Sequence, residues 1–161
     1  MSYLPYVKNF RELVAYQKAK ALAKEIFELT KAFPKEEIYS LTDQIRRCSR
    51  SIGAQISEAW AKRFYEKHFV SKLTDADGEQ NETQHWIDTA TDCGYLNEKQ
   101  AASLLKQCEE IGRLLGGMLA KSDKFCSTTP PHVIREEAAE YFTRNQRDVS
   151  LNTESETETD Y

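Results

Sequence analysis

The fold is decided by residues 40–59, which read SLTDQIRRCSRSIGAQISEA. Two rows of residues recur in this stretch at the spacing of an α-helix. One row is apolar and consists of Leu41, Ile45, Cys48, Ile52, Ile56 and Ala59. The other row lies beside it, is polar, and consists of Gln44, Arg47, Ser51, Gln55 and Glu58. An ordinary surface helix carries one apolar stripe and scattered polar residues, so the ordered pair of rows predicts that both faces meet protein.

The polar row predicts an interface between helices or between chains. Arg47 and Glu58 are separated by about 16 Å along a helix, so they cannot pair with each other. A buried charge without a partner is strongly destabilising, so we expect their partners on another helix or another chain. We therefore predict an oligomer interface at the whole row, Gln44, Arg47, Ser51, Gln55 and Glu58. The alternative interpretation is a solvated edge of the protein.

Rows of the same kind continue on both sides of this stretch. Asn9, with Glu12 three residues later, is predicted to cap a first helix, whose row is Ala15, Ala19, Leu22, Ile26, Leu29 and Phe33. Ser40 is predicted to cap the second helix, which should run to about Phe64. A third helix is predicted from near Glu66, with a row that is polar in its middle: Phe69, Leu73, Ala76, Gln80, Thr83, Ile87 and Ala90.

A fourth helix follows after a short connection. Gly94 is predicted to end the third helix in a left-handed conformation, and Asn97 to cap the fourth. The row of the fourth helix is Ala101, Leu104, Cys108, Ile111, Leu115 and Met118. Its glycines, Gly112, Gly116 and Gly117, are expected where another helix approaches closely. Because the loops are short, the sequence predicts an all-α, antiparallel, up-down-up-down four-helix bundle.

The composition changes after residue 128. Residues 1–128 contain 19 Lys and Arg against 18 Asp and Glu, whereas residues 129–161 contain 3 against 8. Ile134, Ala138 and Tyr141 are spaced for a short C-terminal helix, but the last residues, DVSLNTESETETDY, are too polar and acidic to build a core. We therefore predict a bundle over residues 1–128 and a C-terminal extension over residues 129–161, with a disordered acidic tail.

The sequence contains no recognisable motif for catalysis or metal binding. There is no Ser-His-Asp arrangement with a nucleophile elbow, no glycine-rich phosphate loop, and no C-x-x-C spacing among the four cysteines. No apolar run approaches the ~20 residues that cross a bilayer. We expect a cytoplasmic protein with reduced thiols that is not an enzyme, needs no cofactor or metal, and has no membrane partner.

Clustered basic residues point to one kind of ligand. Residues 43–67 contain six basic and three acidic residues, and nonspecific affinity for nucleic acid requires little more than clustered positive charge. The predicted nucleic-acid-binding residues are Arg46, Arg50, Lys62, Arg63 and Lys67. The alternative is that these are ordinary solvated charges, which an isoelectric point near 5.5 favours.

The quoted stretch resembles the second helix of the 23S rRNA intervening-sequence four-helix-bundle proteins. Their pattern reads roughly L-T-x-Q-I-R-R-x-x-x-S-I-x-x-N-I-x-E-G, and the matches here are Leu41, Thr42, Gln44, Ile45, Arg46, Arg47, Ser51, Ile52, Ile56 and Glu58. Gln55 and Ala59 depart from the Asn and Gly of that pattern. Matches in the other helices include Phe10, Leu13, Gln17, Phe33, Pro34, Glu82, Trp86 and Tyr95, so the resemblance covers about residues 8–126.

The resemblance implies a function and an assembly. Members of that family are bacterial proteins that form ring-shaped homopentamers, and a similar bundle is the accessory variability protein of diversity-generating retroelements, which binds a reverse transcriptase and its RNA. The resemblance therefore implies a non-enzymatic oligomeric accessory protein that binds nucleic acid, RNA or DNA, or a reverse transcriptase-like partner. The alternative is a homo-oligomeric protein-interaction scaffold without nucleic-acid binding, which the acidic tail favours.

Overall fold

The computed structural model describes residues 7–126, and this part of the chain is helical and contains no strand. Its four long helices are α1 (Val14–Thr30), α2 (Leu41–Ala61), α3 (Glu66–Asp92) and α4 (Glu98–Ala120). A short helix, α5 (Ser122–Phe125), follows α4, and two 3-10 turns cover Phe10–Glu12 and Lys35–Glu37. The predicted C-terminal helix, the acidic tail and the boundary at residue 128 lie outside the described residues.

The four long helices form the predicted bundle. Each helix packs against its neighbour in sequence, and α1 closes the arrangement by packing against α4. The connections between α2 and α3 and between α3 and α4 are only four and five residues long, so successive helices run antiparallel. The all-α, up-down-up-down architecture is therefore confirmed.

The predicted apolar rows form the core of the bundle. In α2 the whole row from Leu41 to Ala59 is buried, and Ile45, Ile52 and Ile56 have no exposed surface. The other helices contribute further fully buried large side chains, among them Leu22, Ile26, Phe69, Leu73, Ile87, Leu104, Ile111 and Leu115. Each such side chain contributes about 1.5–3 kcal/mol by leaving water, so the rows themselves account for the association of the helices.

A polar layer crosses the middle of this core, where α3 was predicted to be polar. Thr83 is fully buried, and its hydroxyl donates to the Glu79 carbonyl at 2.8 Å. The buried Gln80 amide donates to Asp77 Oδ1 at 3.3 Å and accepts a hydrogen bond from Gln84. Because these groups have partners, the layer avoids the cost of unsatisfied buried polar groups.

Two cysteines lie in the same region of the core. Burial raises the pKa of the Cys48 thiol to about 11 and that of the Cys108 thiol to about 12. Both are free thiols and stay protonated at neutral pH, so they act as small apolar side chains. Cys93 is also free but is exposed at the end of α3.

The predicted start of α1 was wrong, whereas α2 begins directly after Ser40 as predicted but without a capping hydrogen bond from the Ser40 side chain. Asn9 caps the 3-10 turn, because its side chain accepts the Arg11 N–H, and α1 begins only at Val14 after an extended Leu13. The Ser40 hydroxyl donates to the Glu37 carboxylate instead of capping α2, and that carboxylate accepts the Leu41 N–H at 3.2 Å. These hydrogen bonds lower the pKa of the Glu37 carboxyl.

The remaining predictions of helix ends were right in some cases and wrong in one. α2 ends at Ala61 rather than near Phe64. In contrast, α3 begins at Glu66 as predicted, and Gly94 follows it with a φ of +73°. The Asn97 side chain accepts the Gln100 N–H at 2.8 Å, and the Gln100 side chain accepts the Asn97 N–H at 3.0 Å, so the predicted cap of α4 is confirmed.

Candidate nucleic-acid and oligomer surfaces

The C-terminal half of the polar row on α2 is used within the chain. Lys72 of α3 donates to Glu58 Oε2 at 2.9 Å and to Gln55 Oε1 at 3.1 Å, and its ammonium lies 3.6 Å from Asp75. The Lys72 side chain is only 22% exposed. Its hydrogen bond lowers the pKa of the Glu58 carboxyl, and the same bond raises the pKa of Lys72. Glu58 therefore finds the interhelical partner that the sequence predicted.

Arg47 behaves differently. Its guanidinium lies 3.6 Å from Asp43, one turn earlier on the same helix, and its side chain is 72% exposed. Within residues 7–126 its carboxylate neighbour is therefore on its own helix, where residues four apart meet directly, and a partner on another chain stays a prediction. Gln44 and Ser51, on the same face, are half-buried. The role of the row in an oligomer interface stays a prediction.

Arg46 and Arg50 lie against α1. The Arg46 Nε donates to Thr30 Oγ1 at 2.7 Å, and its guanidinium sits 4.9 Å from the centroid of the Phe27 ring. The Arg50 guanidinium lies 5.6 Å from the same centroid, and the Lys31 ammonium lies 4.8 Å from it. We call Phe27, Lys31, Arg46 and Arg50 the Phe27 cluster. An aromatic face stabilises a nearby cation and holds it in place.

A groove of about 250 Å³ runs between α1 and α2 beside Arg50. It exists because the facing positions of the two helices carry small residues, namely Ala19, Ala23, Gly53, Ala54 and Ser57. Lys20 and Arg50 also line it, so it has basic as well as apolar walls. Sequence reasoning missed both the groove and Phe27. The spacing of the small residues was the available signal for the groove, and the four-residue spacing of Phe27 and Lys31 was the signal for the cluster.

A second basic group lies at the turn from α2 to α3 and consists of Lys62, Arg63 and Lys67. Arg63 Nη1 donates to the Trp60 carbonyl at 2.7 Å, and its guanidinium lies 4.3 Å from the Trp60 ring and 4.9 Å from the Phe64 ring. Lys62 and Lys67 are exposed. Lys62 is about 24 Å along the helix axis from Arg46. The five predicted residues therefore form two basic groups rather than one continuous strip.

The five predicted nucleic-acid-binding residues share one electrostatic property. Within residues 7–126, none of them forms an ion pair with a carboxylate within 4.0 Å, which is also true of ten other Lys and Arg residues there, whereas Lys18, Lys31, Arg47 and Lys72 do form such pairs. Two of the five, Arg46 and Arg63, are held by a hydrogen bond and by aromatic rings. Positive charges that are fixed and not neutralised are suited to contact phosphate.

α3 carries the opposite charge on its outer face. Residues 75–92 include six acidic and no Lys or Arg residues. Burial and the nearby Glu82 and Asp75 carboxylates raise the pKa of the Glu79 carboxyl. Burial is the larger cause, and the carboxylates add to it because like charges disfavour ionisation, so acidic side chains lie close together on this part of α3.

Among residues 7–126, no cluster of three or more His, Cys, Asp or Glu side chains is arranged to hold a metal ion. None of the helices there combines the length and apolarity that crossing a bilayer requires.

Comparisons with known proteins identify what the chain is similar to. A family model described as 23S rRNA-intervening sequence protein matches residues 11–117. A crystal structure of a protein of unknown function from the S23 ribosomal protein family of Bacteroides thetaiotaomicron superposes with a TM-score of 0.61 and 30% sequence identity. That match covers 66% of this chain and 96% of the other. A comparison with curated proteins gave no match.

Proposed function

The chain belongs to the 23S rRNA-intervening sequence protein family, and from this premise we propose that it is a cytoplasmic, non-enzymatic, oligomeric accessory protein that binds nucleic acid. The ligand is RNA or DNA held by its phosphates. A reverse transcriptase-like protein that shares the same nucleic acid is the protein partner we propose. The binding residues are Arg46, Arg50, Lys62, Arg63 and Lys67.

One observation carries this proposal. The formal net charge is −4, yet two groups of basic residues, Arg46 with Arg50 and Lys62 with Arg63 and Lys67, have no carboxylate partner within residues 7–126. In a protein with more acidic than basic residues, such local segregation is needed for any phosphate ligand. Binding to phosphate releases counterions from the nucleic acid, and that release supplies most of nonspecific affinity.

The first prediction tests this proposal by charge reversal. A labelled RNA oligonucleotide is titrated with the protein at low salt, and binding is followed by fluorescence anisotropy. The double variant Arg50→Glu/Lys62→Glu should bind at least about tenfold more weakly, because two phosphate contacts become repulsions. The matched control is Lys99→Glu/Lys106→Glu, which makes the same change in net charge at exposed positions of α4 and should bind like the unaltered protein.

The control decides how the result is interpreted. If both double variants lose affinity equally, net charge alone governs binding, and the assignment of the site is wrong. If the unaltered protein binds no RNA at low salt, the nucleic-acid function is wrong.

A second candidate function is a homo-oligomeric scaffold for another protein. The acidic outer face of α3 favours it, because a surface on which Glu79, Glu82 and Asp75 repel one another gains from a basic partner. The same titration separates the two functions. A scaffold of this kind would show no salt-dependent affinity for RNA.

Self-association is part of the proposed function. The contacts of Lys72 cover only the C-terminal part of the polar row on α2. The part that they leave uncovered consists of Gln44, Arg47 and Ser51. On α4, a Cβ at Gly116 or Gly117 would meet no atom of the other described elements within 4 Å, so within residues 7–126 these glycines leave room for another protomer. We propose a homopentamer, following the family resemblance.

A further inference from the structure

The turn between α2 and α3 combines aromatic rings with positive charges. Residues 60–68 read WAKRFYEKH, and α2 ends at Ala61 while α3 begins at Glu66. We call the residues Lys62, Tyr65, Lys67 and His68 the corner patch. All four are exposed.

Tyr65 is held by its backbone but not by its side chain. Its N–H donates to the Lys62 carbonyl at 3.0 Å, and its own carbonyl accepts the N–H groups of His68 and Phe69, each at 3.0 Å. The residue is nevertheless 51% exposed, and its ring meets the His68 ring edge-on, with the centroids 5.8 Å apart. Hydrogen bonds thus hold the backbone of Tyr65, while its aromatic side chain is accessible to solvent.

The positive charges at this end of the bundle come from more than one helix. Ser122 donates to Glu66 Oε1 at 2.6 Å, and Phe125 stacks on Phe69 with the ring centroids 5.7 Å apart. The end of α4 therefore lies beside the start of α3, and this brings the exposed Lys121 and Lys124 to the same end of the bundle. Two acidic residues, Glu66 and Asp123, also lie at this end, and the four lysines there outnumber them.

We propose that the corner patch is a binding site for single-stranded nucleic acid, in which an unpaired base stacks on Tyr65 and the flanking phosphates contact Lys62 and Lys67. The proposal rests on the proposed function and deepens it by naming the form of nucleic acid that is preferred. Base stacking on an aromatic side chain needs a base face that is free, and a double helix hides its base faces.

The opposite end of the bundle provides an internal comparison. Tyr39 is 95% exposed there, in the connection between α1 and α2. In residues 35–43 around it, Glu36, Glu37 and Asp43 outnumber Lys35, whereas around Tyr65 the basic Lys62, Arg63 and Lys67 outnumber Glu66. Because a neighbourhood of net negative charge repels phosphate, Tyr39 is an exposed aromatic residue at which the same site does not form.

The second prediction compares two forms of RNA by fluorescence anisotropy at low salt. The probes are a labelled single-stranded oligouridylate of about 12 nucleotides and a labelled RNA duplex of the same length in base pairs. The unaltered protein should bind the single strand several times more tightly. Tyr65→Ala should weaken single-strand binding at least about fivefold and leave duplex binding unchanged, because only the stacking interaction is removed.

Two variants make this comparison specific. Tyr65→Phe keeps the ring and should retain the affinity of the unaltered protein. Tyr39→Ala removes a still more exposed tyrosine at the other end of the bundle and should also retain it. Circular dichroism of Tyr65→Ala should give the helical content of the unaltered protein, because the hydrogen bonds of Tyr65 are made by its backbone.

The outcomes separate this inference from the proposed function. If the protein binds both probes equally and Tyr65→Ala changes neither affinity, the single-strand site is wrong while nucleic-acid binding stands. If neither probe binds at low salt, both are wrong.

Discussion

At the scale of single residues, Gly112 shows how a glycine positions a polar group in the core. A Cβ added at Gly112 would lie 3.1 Å from Gln80 Nε2. The Gln80 side chain cannot move aside freely, since it is hydrogen-bonded to both Asp77 and Gln84. The close approach expected at this glycine is therefore made by α3 of the same chain.

The third prediction uses two glycines that differ only in their surroundings. Gly78→Ala on α3 should raise the free energy of unfolding by up to about 1 kcal/mol, because alanine favours the helix and the new Cβ meets no atom within 4 Å. Gly112→Ala should give no such gain and should be destabilising, because its Cβ crowds the Gln80 amide. Urea unfolding followed by circular dichroism measures both. Equal stabilisation by the two substitutions would contradict the packing described for Gln80.

At the scale of elements, the periodicity of apolar residues predicted the four helices but not all of their ends. The rows of α2 and α3 are buried as the spacing predicted, because helix packing depends on the local pattern of apolar residues. The start of α2 depends instead on Glu37, whose other carboxylate oxygen accepts the Tyr95 hydroxyl at 3.1 Å. A contact between residues so distant in sequence leaves no local signal.

The candidate site was also only partly predictable from the sequence. The sequence identified the five basic residues but not their division into two groups. That division follows from the length of α2, which carries Arg46 and Lys62 to different levels of the bundle. The environment of Arg46 was missed because it depends on how α1 and α2 align, which places Thr30 and Phe27 beside it.

At the scale of the whole bundle, basic residues outnumber acidic ones at one end. The antiparallel topology brings Lys62, Lys67, Lys121 and Lys124 to that end, together with Glu66 and Asp123. The other end holds Glu36, Glu37, Asp92 and Glu98, together with Lys35 and Lys99. This unequal distribution is how a protein of net charge −4 offers a basic surface.

The fourth prediction concerns assembly. Light scattering of the purified protein should give a mass near five times 18.6 kDa, as the family resemblance implies for a homopentamer. Arg47→Ala should weaken assembly, because Arg47 is exposed on the predicted interface row. Lys67→Ala is the control, since Lys67 is exposed away from that row and should leave the mass unchanged.

The control for assembly avoids Arg46 for a physical reason. Arg46 bonds to Thr30 and lies over Phe27, so its loss would disturb the packing of α1 on α2. A monomeric mass at micromolar concentration would contradict the proposed pentamer. Equal effects of the two substitutions would contradict the assignment of the interface to the polar row.

The central claim is that basic side chains of this bundle that form no ion pair within residues 7–126 bind the phosphates of nucleic acid. The salt dependence of affinity for a single-stranded RNA tests it most directly, because the slope of log K against log salt counts phosphate contacts. Affinity should fall steeply as salt rises from about 50 mM to 200 mM, and Lys62→Ser/Lys67→Ser should reduce the slope by about 0.7 for each lost contact. An affinity that does not change with salt, or a slope that these substitutions leave unaltered, would contradict the account.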